Sequence, residues 1–202
     1  MLFYKVSRLT GPTSDNSINK GAVMSASTFT DSRDGKAYKT VKIGTAVWFA
    51  ENLNFAAEGS VYYDNKDANG GKYGRLYDWD TALKACPAGW RLPTDEEWAA
   101  LVDYAGGEEA AGKKLKSAAG WNNDGNGTDE FGFSALPGGY GYSGVGFSTV
   151  GLNGRWWSAT PIDDDYVWSR RISYSNEDVY RNRNNKTSLL SVRCIKDWLT
   201  PR

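Results

Sequence analysis

The feature that most constrains the fold is a period-two pattern near the C-terminus, within Arg155–Ile195. Over Tyr166–Tyr174 the residues alternate between two registers, as they do in a β-strand with two distinct faces. One register holds Val167, Ser169, Arg171 and Ser173, and the other gathers the larger side chains of Tyr166, Trp168, Arg170, Ile172 and Tyr174. The turn-forming cluster Ser175–Asp178, followed by Val179–Arg183, predicts a hairpin with a return strand.

The composition of the polar part of this segment points to a contact surface. Arg155–Asn185 contains three Trp, three Tyr, five Arg, four Asn and four Asp, but no Lys. Protein interfaces favour Tyr, Trp and Arg and disfavour Lys. Rigid aromatic side chains give contact area at low entropic cost, and Asn and Ser add adaptable hydrogen bonds. A solvated antiparallel sheet whose charges pair across strands would have the same composition, so both interpretations stay open at this point.

The whole-chain composition excludes several classes of function. A length of 202 residues favours one domain with an extension. Because Lys plus Arg and Asp plus Glu are both 24, nothing favours a nucleic acid or a bilayer surface as the main partner. The absence of His removes imidazole catalysis, Ser-His triads and His metal sites. The 23 Gly and 12 Tyr favour a fold rich in turns.

The two cysteines and the apolar segments indicate whether the protein is exported or stays inside the cell. Cys86 and Cys194 are either a disulfide that closes a long loop, worth roughly 3–5 kcal/mol, or two buried thiols. No apolar run approaches the ~20 residues of a membrane span. The start of the chain is too short in its apolar part for a signal peptide. We therefore expect a mature form, export by another route, or a protein that stays inside the cell.

The chain divides into an extension at Met1–Thr30 and a folded domain at Asp31–Trp198. Thr10–Lys20 is rich in Ser, Asn, Thr, Gly and Pro, which is typical of a linker. Met1–Leu9 is interpreted either as an arm that packs on a neighbouring subunit or on the domain, or as a frayed terminus. Strand alternation at Tyr38–Ile43 and again at 46–49 predicts an opening hairpin.

Two short helices are predicted in the middle of the chain. Leu76–Lys84 carries apolar residues at helical spacing and ends before Cys86-Pro87. Thr94 and Glu97 have the spacing of a capping box, and the acidic residues of that first turn are explained by the helix dipole rather than by catalysis. The buried face of this second helix is predicted to hold Trp98, Leu101, Val102 and Ala105. Glu108–Ser117 is expected to add a short helical or irregular turn.

Polar loops offer weak alternatives for a cofactor. Asn65–Gly70 begins like a calcium loop, but the position of the terminal Glu holds Leu76, so a hydrogen-bonded turn is the better interpretation. A second loop, which contains Asn122, Asp124, Asn126 and Asp129, could ligate calcium, but Asn-Gly and Asp-Gly turns have the same residues and are the better interpretation. The glycine string at 139–144 opens no helix, so a dinucleotide site is rejected and a tightly packed Gly/Tyr loop is expected. We otherwise expect no cofactor.

Short runs in a fixed order link most of the chain to a known family. They are Asp31–Gly35, Tyr38–Gly44, Trp48, Ala50–Asn54, Lys72–Tyr77, Cys86–Thr94, Phe133–Gly139, Trp156–Ser158 and Ser191–Asp197. Together they resemble the Fibrobacter-type major paralogous domain. The resemblance implies an α+β, C-type-lectin-like fold, similar to formylglycine-generating enzymes, with two or so short helices and antiparallel hairpins. It also implies a disulfide between Cys86 and Cys194.

The same resemblance extends to the variable proteins of diversity-generating retroelements, in which the terminal hairpins vary and bind ligands. It implies a non-enzymatic display protein at a bacterial cell surface or phage tail. Its partner would be a cell-surface protein or glycan, and oligomerisation through the N-terminal segment is open. The residues expected to bind ligand are Asp163, Asp165, Tyr166, Trp168, Arg170, Tyr174, Asn176, Asp178, Tyr180, Arg181, Arg183 and Asn184.

Two departures from related proteins narrow the alternatives. The chain lacks the paired active-site cysteines of formylglycine-generating enzymes, and it lacks the Glu-Pro-Asn or Gln-Pro-Asp triplet of true C-type lectins. A sulfatase-modifying type of enzyme, which would need a free thiolate, is therefore the weaker hypothesis. A structural surface protein without a ligand is the third hypothesis.

Overall fold

The structure is a computed structural model that describes residues 27–198. The arm and the linker expected at Met1–Leu9 and Thr10–Lys20 lie outside the described residues. Ser27–Thr30 forms a strand that pairs with Ala37–Thr40. The first sheet therefore begins before Asp31, the residue at which the sequence places the start of the domain.

The described residues form a mixed α+β structure with four helices and two sheets. The helices are α1 (Asp67–Tyr73), α2 (Trp79–Ala85), α3 (Asp95–Tyr104) and α4 (Ala111–Leu115). The strands are β1 (Ser27–Thr30), β2 (Ala37–Ile43), β3 (Ala46–Phe49), β4 (Leu76–Tyr77), β5 (Trp90–Arg91), β6 (Tyr140–Tyr142), β7 (Gly146–Ser148), β8 (Asn153–Pro161), β9 (Tyr166–Ser173), β10 (Val179–Asn185), β11 (Ser188–Ser191) and β12 (Ile195–Lys196). Within residues 27–198, none of the helices has the length and apolar character needed to cross a bilayer.

The two sheets differ in size, with five strands in the first and seven in the second. The first sheet has the order β1-β2-β3-β12-β5, so the last described strand lies beside the opening hairpin. The second sheet has the order β10-β9-β8-β11-β6-β7, and β4 pairs with β11. The predicted opening hairpin is confirmed, with Val41 opposite Trp48. The predicted C-terminal hairpin is also confirmed, as β9 and β10.

Helix α3 begins where the sequence predicts. The Thr94 hydroxyl accepts the Glu97 backbone N–H at 3.3 Å, and the Glu97 carboxylate accepts the Thr94 N–H at 2.9 Å, which completes the capping box. Arg91 donates to both carboxylate oxygens of Glu97 at 2.7 and 2.6 Å. These hydrogen bonds fix the start of α3 against β5 and aim its first turn at the second sheet.

Helix α2 starts later than the predicted Leu76. Leu76–Tyr77 instead pairs with β11 as β4. The helix begins at Trp79 because the Asp78 side chain accepts the backbone N–H of Thr81 at 2.8 Å, which satisfies one of the free amides of the first turn.

Helix α1 replaces the polar turn predicted around Asn65–Gly70. Its seven residues include two glycines, which disfavour the helical state. Tertiary contacts supply the missing stability: Tyr73 is buried, and the Asn54 side chain donates to the Gly70 carbonyl at 3.0 Å. Contacts with such distant residues leave no trace in the local sequence.

The core holds an aromatic cluster around Trp98 of α3. Its ring centroid lies 5.1 Å from Trp48, 6.0 Å from Phe133 and 6.3 Å from Trp156. These residues come from both sheets, from α3 and from the loop before β6, and each is almost completely buried. Packing of α3 on this cluster positions the helix over β8 and β9.

A buried guanidinium ties the two sheets together. Arg193 is fully buried and donates to the Asn52 side-chain oxygen and to the backbone carbonyls of Phe49 and Phe133. The same Asn52 oxygen accepts the Trp156 indole N–H at 2.8 Å. Burial lowers the pKa of Arg193 to about 9. Because its acceptors lie in β3, in the loop after β3 and in the loop before β6, and Asn52 in turn binds Trp156 of β8, this side chain links the first sheet to the second.

The disulfide between Cys86 and Cys194 is confirmed. It joins the residue after α2 to the residue before β12, with the Cα atoms 6.0 Å apart and a sequence separation of 108. A cross-link that closes a loop of this length removes much of the conformational entropy of the unfolded chain.

Replacing both Cys86 and Cys194 by Ala should lower the free energy of unfolding by about 2–5 kcal/mol, because the unfolded chain regains the entropy of the open loop. Urea denaturation monitored by tryptophan fluorescence measures the change. Wild type in reductant is the matched control and should lose a similar amount. A variant as stable as oxidised wild type would show that the cross-link contributes nothing.

Candidate functional site

The predicted binding residues lie on a ribbon made of β8, β9 and β10. Strands β9 and β10 pair in register from Ile172 opposite Val179 to Tyr166 opposite Asn185. Directly opposed residues of antiparallel strands point to the same side of the sheet. The ribbon therefore has two faces, and the predicted residues are divided between them rather than gathered on one.

On the first face, exposed arginines lie flat on aromatic rings. The guanidinium carbon of Arg181 is 3.4 Å from the centroid of Trp168, and that of Arg183 is 3.6 Å from the centroid of Tyr166. Both arginines are exposed and both rings are half-buried. Each stack holds a cation and a ring in a defined position, which limits the entropy that a binding event would remove.

Asp95, the first residue of α3, binds two arginines of this face. One of its oxygens accepts from Arg170 at 2.5 Å and the other accepts from Arg181 at 2.7 and 2.9 Å. Its backbone carbonyl also accepts from Arg170 at 3.1 Å. Sequence analysis assigned Asp95 to the helix dipole alone, because 75 and 86 residues separate it from these arginines.

The prediction that Arg170 and Asn184 belong to the exposed surface is wrong. Arg170 is only 4% exposed, because α3 covers this end of the face, and its charge is compensated by Asp95. Asn184 is 6% exposed, and its side-chain oxygen accepts the Ser169 hydroxyl at 2.7 Å. The strand alternation of β9 also breaks here, since Ser169 and Arg170 are both buried.

Three predicted residues form a small network at the hairpin turn. The Tyr180 hydroxyl donates to the Asp178 carboxylate at 2.6 Å and accepts from the Asn176 amide at 2.5 Å. The hydrogen bond to Asp178 raises the pKa of Tyr180. Tyr174 is half-buried and packs against the core.

At the opposite end, acidic residues shape the β8–β9 turn. The Asp163 carboxylate accepts the backbone N–H of Asp165 at 3.0 Å and that of Tyr166 at 2.8 Å. Its other oxygen lies 3.5 Å from Arg183. Both Asp163 and Asp165 are exposed, so this turn extends the arginine-aromatic face with negative charge.

The second face carries residues that sequence analysis missed. Arg155 of β8 stands directly opposite Arg171 of β9, and Arg171 stands opposite Tyr180 of β10. Arg155 lies 3.9 Å from the ring centroid of Tyr140 in β6. Arg171 could have been found from the sequence, because the strand alternation places it on the face opposite to Tyr166 and Trp168. The contribution of Tyr140 has no local signature.

Two side chains of the second loop considered for calcium use their oxygens within the protein. The Asn126 side-chain oxygen accepts the Trp121 N–H at 3.0 Å, and the Asp129 carboxylate accepts from the Ser134 N–H and hydroxyl at 2.7 and 2.6 Å. In the earlier loop, Asn69 donates to the Tyr63 carbonyl. Between residues 27 and 198, no three His, Cys, Asp or Glu side chains come together in a way that could hold a metal ion.

A cleft of about 640 Å³ opens beside the far end of the ribbon. The Gly/Tyr segment forms the β6–β7 hairpin on one side of it, where Gly141 packs under the Phe147 ring with no room for a side chain. Asp78 and Asp80 line another side. Lys186, just after β10, lines it as well, so the cleft continues the surface of the ribbon.

Comparison with known proteins gives one result. The sequence matches the Fibrobacter succinogenes major domain over residues 41–196. The chain belongs to this family. No curated protein and no solved structure matches. The match to the Fibrobacter succinogenes major domain runs from β2 to β12, so it includes both cysteines and the whole ribbon.

In this Fibrobacter succinogenes major domain, Asp95→Asn should lower the free energy of unfolding by about 3 kcal/mol or more, because it leaves the buried Arg170 charge without its partner. The matched variant Arg181→Gln should lose under about 1 kcal/mol, because that arginine is exposed. Urea denaturation compares the two. Equal losses would show that Asp95 does not compensate a buried charge.

Proposed function

We propose that this chain is a ligand-binding display protein that uses the β9–β10 ribbon to contact a protein or glycan on a cell surface. The observation that carries the proposal is the pair of exposed stacks, Arg181 on Trp168 and Arg183 on Tyr166. Arginine and tryptophan are among the residues that contribute most to binding at interfaces. Here they are held in place before any ligand arrives.

The proposal includes a C-type-lectin-like fold. In support of it, β12 lies between β3 and β5, so that both ends of the domain meet in the first sheet. The second sheet with its exposed ribbon is formed by the chain between those ends. The Cys86–Cys194 disulfide and the buried Arg193 brace this arrangement.

We further propose that the domain is a variable protein of a diversity-generating retroelement. Support comes from the separation of roles along β9 and β10. Buried residues such as Val167 and Ser169 set the register, while the exposed Arg183 contacts Asp163 and the Tyr166 ring, which belong to the ribbon itself. Substitution of the exposed residues would therefore change the surface with little effect on folding.

The alternative of a sulfatase-modifying type of enzyme is less well supported. It requires a free thiolate, and the two cysteines of the chain are joined to each other. The disulfide also favours an oxidising compartment, which fits display outside the cell, on a bacterial surface or a phage tail. We propose no enzymatic activity and no cofactor.

Sequences of the same locus in sibling isolates should differ mainly at exposed ribbon codons and stay constant at Asp95, Arg170 and Asn184, whose side chains hold the frame. The positions expected to change are Asp163, Asp165, Tyr166, Trp168, Asn176, Asp178, Tyr180, Arg181 and Arg183. Amplicon sequencing of the locus measures this. Differences spread evenly over 31–198 would contradict retroelement variation and favour a structural protein.

Trp168→Ala should weaken attachment of the labelled domain to intact bacterial cells by about 2 kcal/mol or more, because it removes the ring that supports Arg181. Flow cytometry over a panel of co-isolated strains measures the affinity. Tyr104→Ala is the matched control, since Tyr104 is an exposed aromatic on α3, outside the ribbon. Loss of attachment in the control alone would place the binding surface elsewhere.

A further inference from the structure

The second face of the ribbon, together with the start of β6, carries a row of four side chains. In spatial order they are Tyr140, Arg155, Arg171 and Tyr180. Arg155 and Arg171 are directly opposed, and Tyr180 is opposed to Arg171. A bridge between Gly139 and Gly154 sets Tyr140 beside Arg155. At about 5 Å per strand, the row spans roughly 14 Å, and all four side chains are half-buried.

The two central arginines have no acidic partner. Among residues 27–198, ion pairs compensate Arg33, Arg91, Arg170, Arg181 and Arg183. No carboxylate of the described residues lies within ion-pair distance of Arg155 or Arg171, and neither guanidinium has a hydrogen bond to those residues. The Nε atoms of both are buried without a partner. Like charges placed directly opposite each other destabilise a sheet, so this pair calls for an explanation.

Stacking on tyrosine explains the position of the arginines but not their unused hydrogen bonds. Arg155 lies on Tyr140 and Arg171 lies 4.4 Å from the ring centroid of Tyr180. A guanidinium stacked on a ring uses its face, whereas its N–H donors lie in its plane. Burial lowers the pKa of Arg155, and the charge of Arg171 lowers it further. An anion bound in the plane of the two guanidinium groups would accept from these donors and would offset the repulsion between the two charges.

A third unsatisfied group lies on the same face. The side-chain oxygen of Asn182 is buried without a partner. Asn182 follows Tyr180 at the spacing that returns to the same side of a strand, so it is diagonal to Arg171 in the register. An acidic side chain of a peptide can pair with the guanidinium groups, whereas the buried Asn182 oxygen lies out of reach of a partner.

We propose that the Tyr140–Arg155–Arg171–Tyr180 row binds a carboxylate of an acidic segment on a protein partner. This inference rests on the proposed display function and names the chemistry of the ligand. Arginine forks hold a carboxylate through paired hydrogen bonds. The flanking tyrosines give rigid contact area of the kind found at the centre of protein interfaces.

The test uses the ¹⁵N-labelled domain and three probes: a synthetic glutamate-rich peptide, free glutarate and polygalacturonate. NMR follows the side-chain Nε–H signals, which are assigned by their loss in Arg155→Gln and Arg171→Gln. The peptide should shift both signals, and its affinity should exceed that of glutarate by roughly tenfold or more, because several contacts act together. The double variant should bind the peptide at least about tenfold more weakly.

Two further variants separate the site from general charge effects. Lys42→Gln removes one exposed positive charge from β2, in the first sheet and outside the ribbon, and should bind the peptide like wild type. The double change Arg155→Lys and Arg171→Lys keeps the charge but loses the planar fork, so it should bind more weakly than wild type. Thermal unfolding of every variant checks that the fold is retained, and the Lys variant keeps the test valid where the Gln variant unfolds.

Each other outcome overturns the inference. If no probe shifts the two Nε–H signals, the row is not an anion site. If glutarate binds as tightly as the peptide, the occupant is a small carboxylate, and if polygalacturonate alone binds, it is an acidic glycan. The proposed function fails separately: loss of cell attachment depends on Trp168 on the first face, and peptide binding depends on Arg155 and Arg171 on the second.

Discussion

One carboxylate joins the frame of this protein to its candidate surface. Asp95 lies at the start of α3, where a capping box and the packing of Trp98 fix it. From there it compensates the buried Arg170 and holds the exposed Arg181. A charge buried without a partner is strongly unfavourable, so α3 and the ribbon can pack together only when this contact forms. The orientation of the surface thus follows from the packing of the core.

Arginine performs several different tasks in this fold, and its surroundings decide which. Arg193 is surrounded by carbonyl and amide oxygens and links the two sheets. Arg170 is buried against a carboxylate, and Arg181 is exposed on a ring while it shares that carboxylate. Arg155 is the contrast, because it stacks on a ring and lacks any acidic neighbour among the described residues. Composition identifies the segment as unusual but does not distinguish these tasks.

Sequence analysis was most accurate where the structure depends on neighbours in sequence. The capping box at Thr94 and the pairing of β9 with β10 are local patterns, and both are confirmed. It failed where contacts join distant residues. Helix α1 forms despite two glycines because Asn54 and the buried Tyr73 hold it. Arg170 alternates like a surface residue, yet α3 covers it, since alternation shows which residues share a face but not what covers that face.

The amino-acid sequence alone predicts the family, the mixed α+β class, the main hairpins and the segment that carries the unusual side chains. Period-two alternation, capping residues and short motifs involve only a few neighbouring residues, so they are visible directly in the sequence. Only the tertiary structure decided that this segment has two faces, that Arg170 and Asn184 are buried, and that Tyr140 joins Arg155 and Arg171 in one row. These outcomes depend on the order of strands in the sheet and on the position of α3, which bring together residues that lie far apart in the chain.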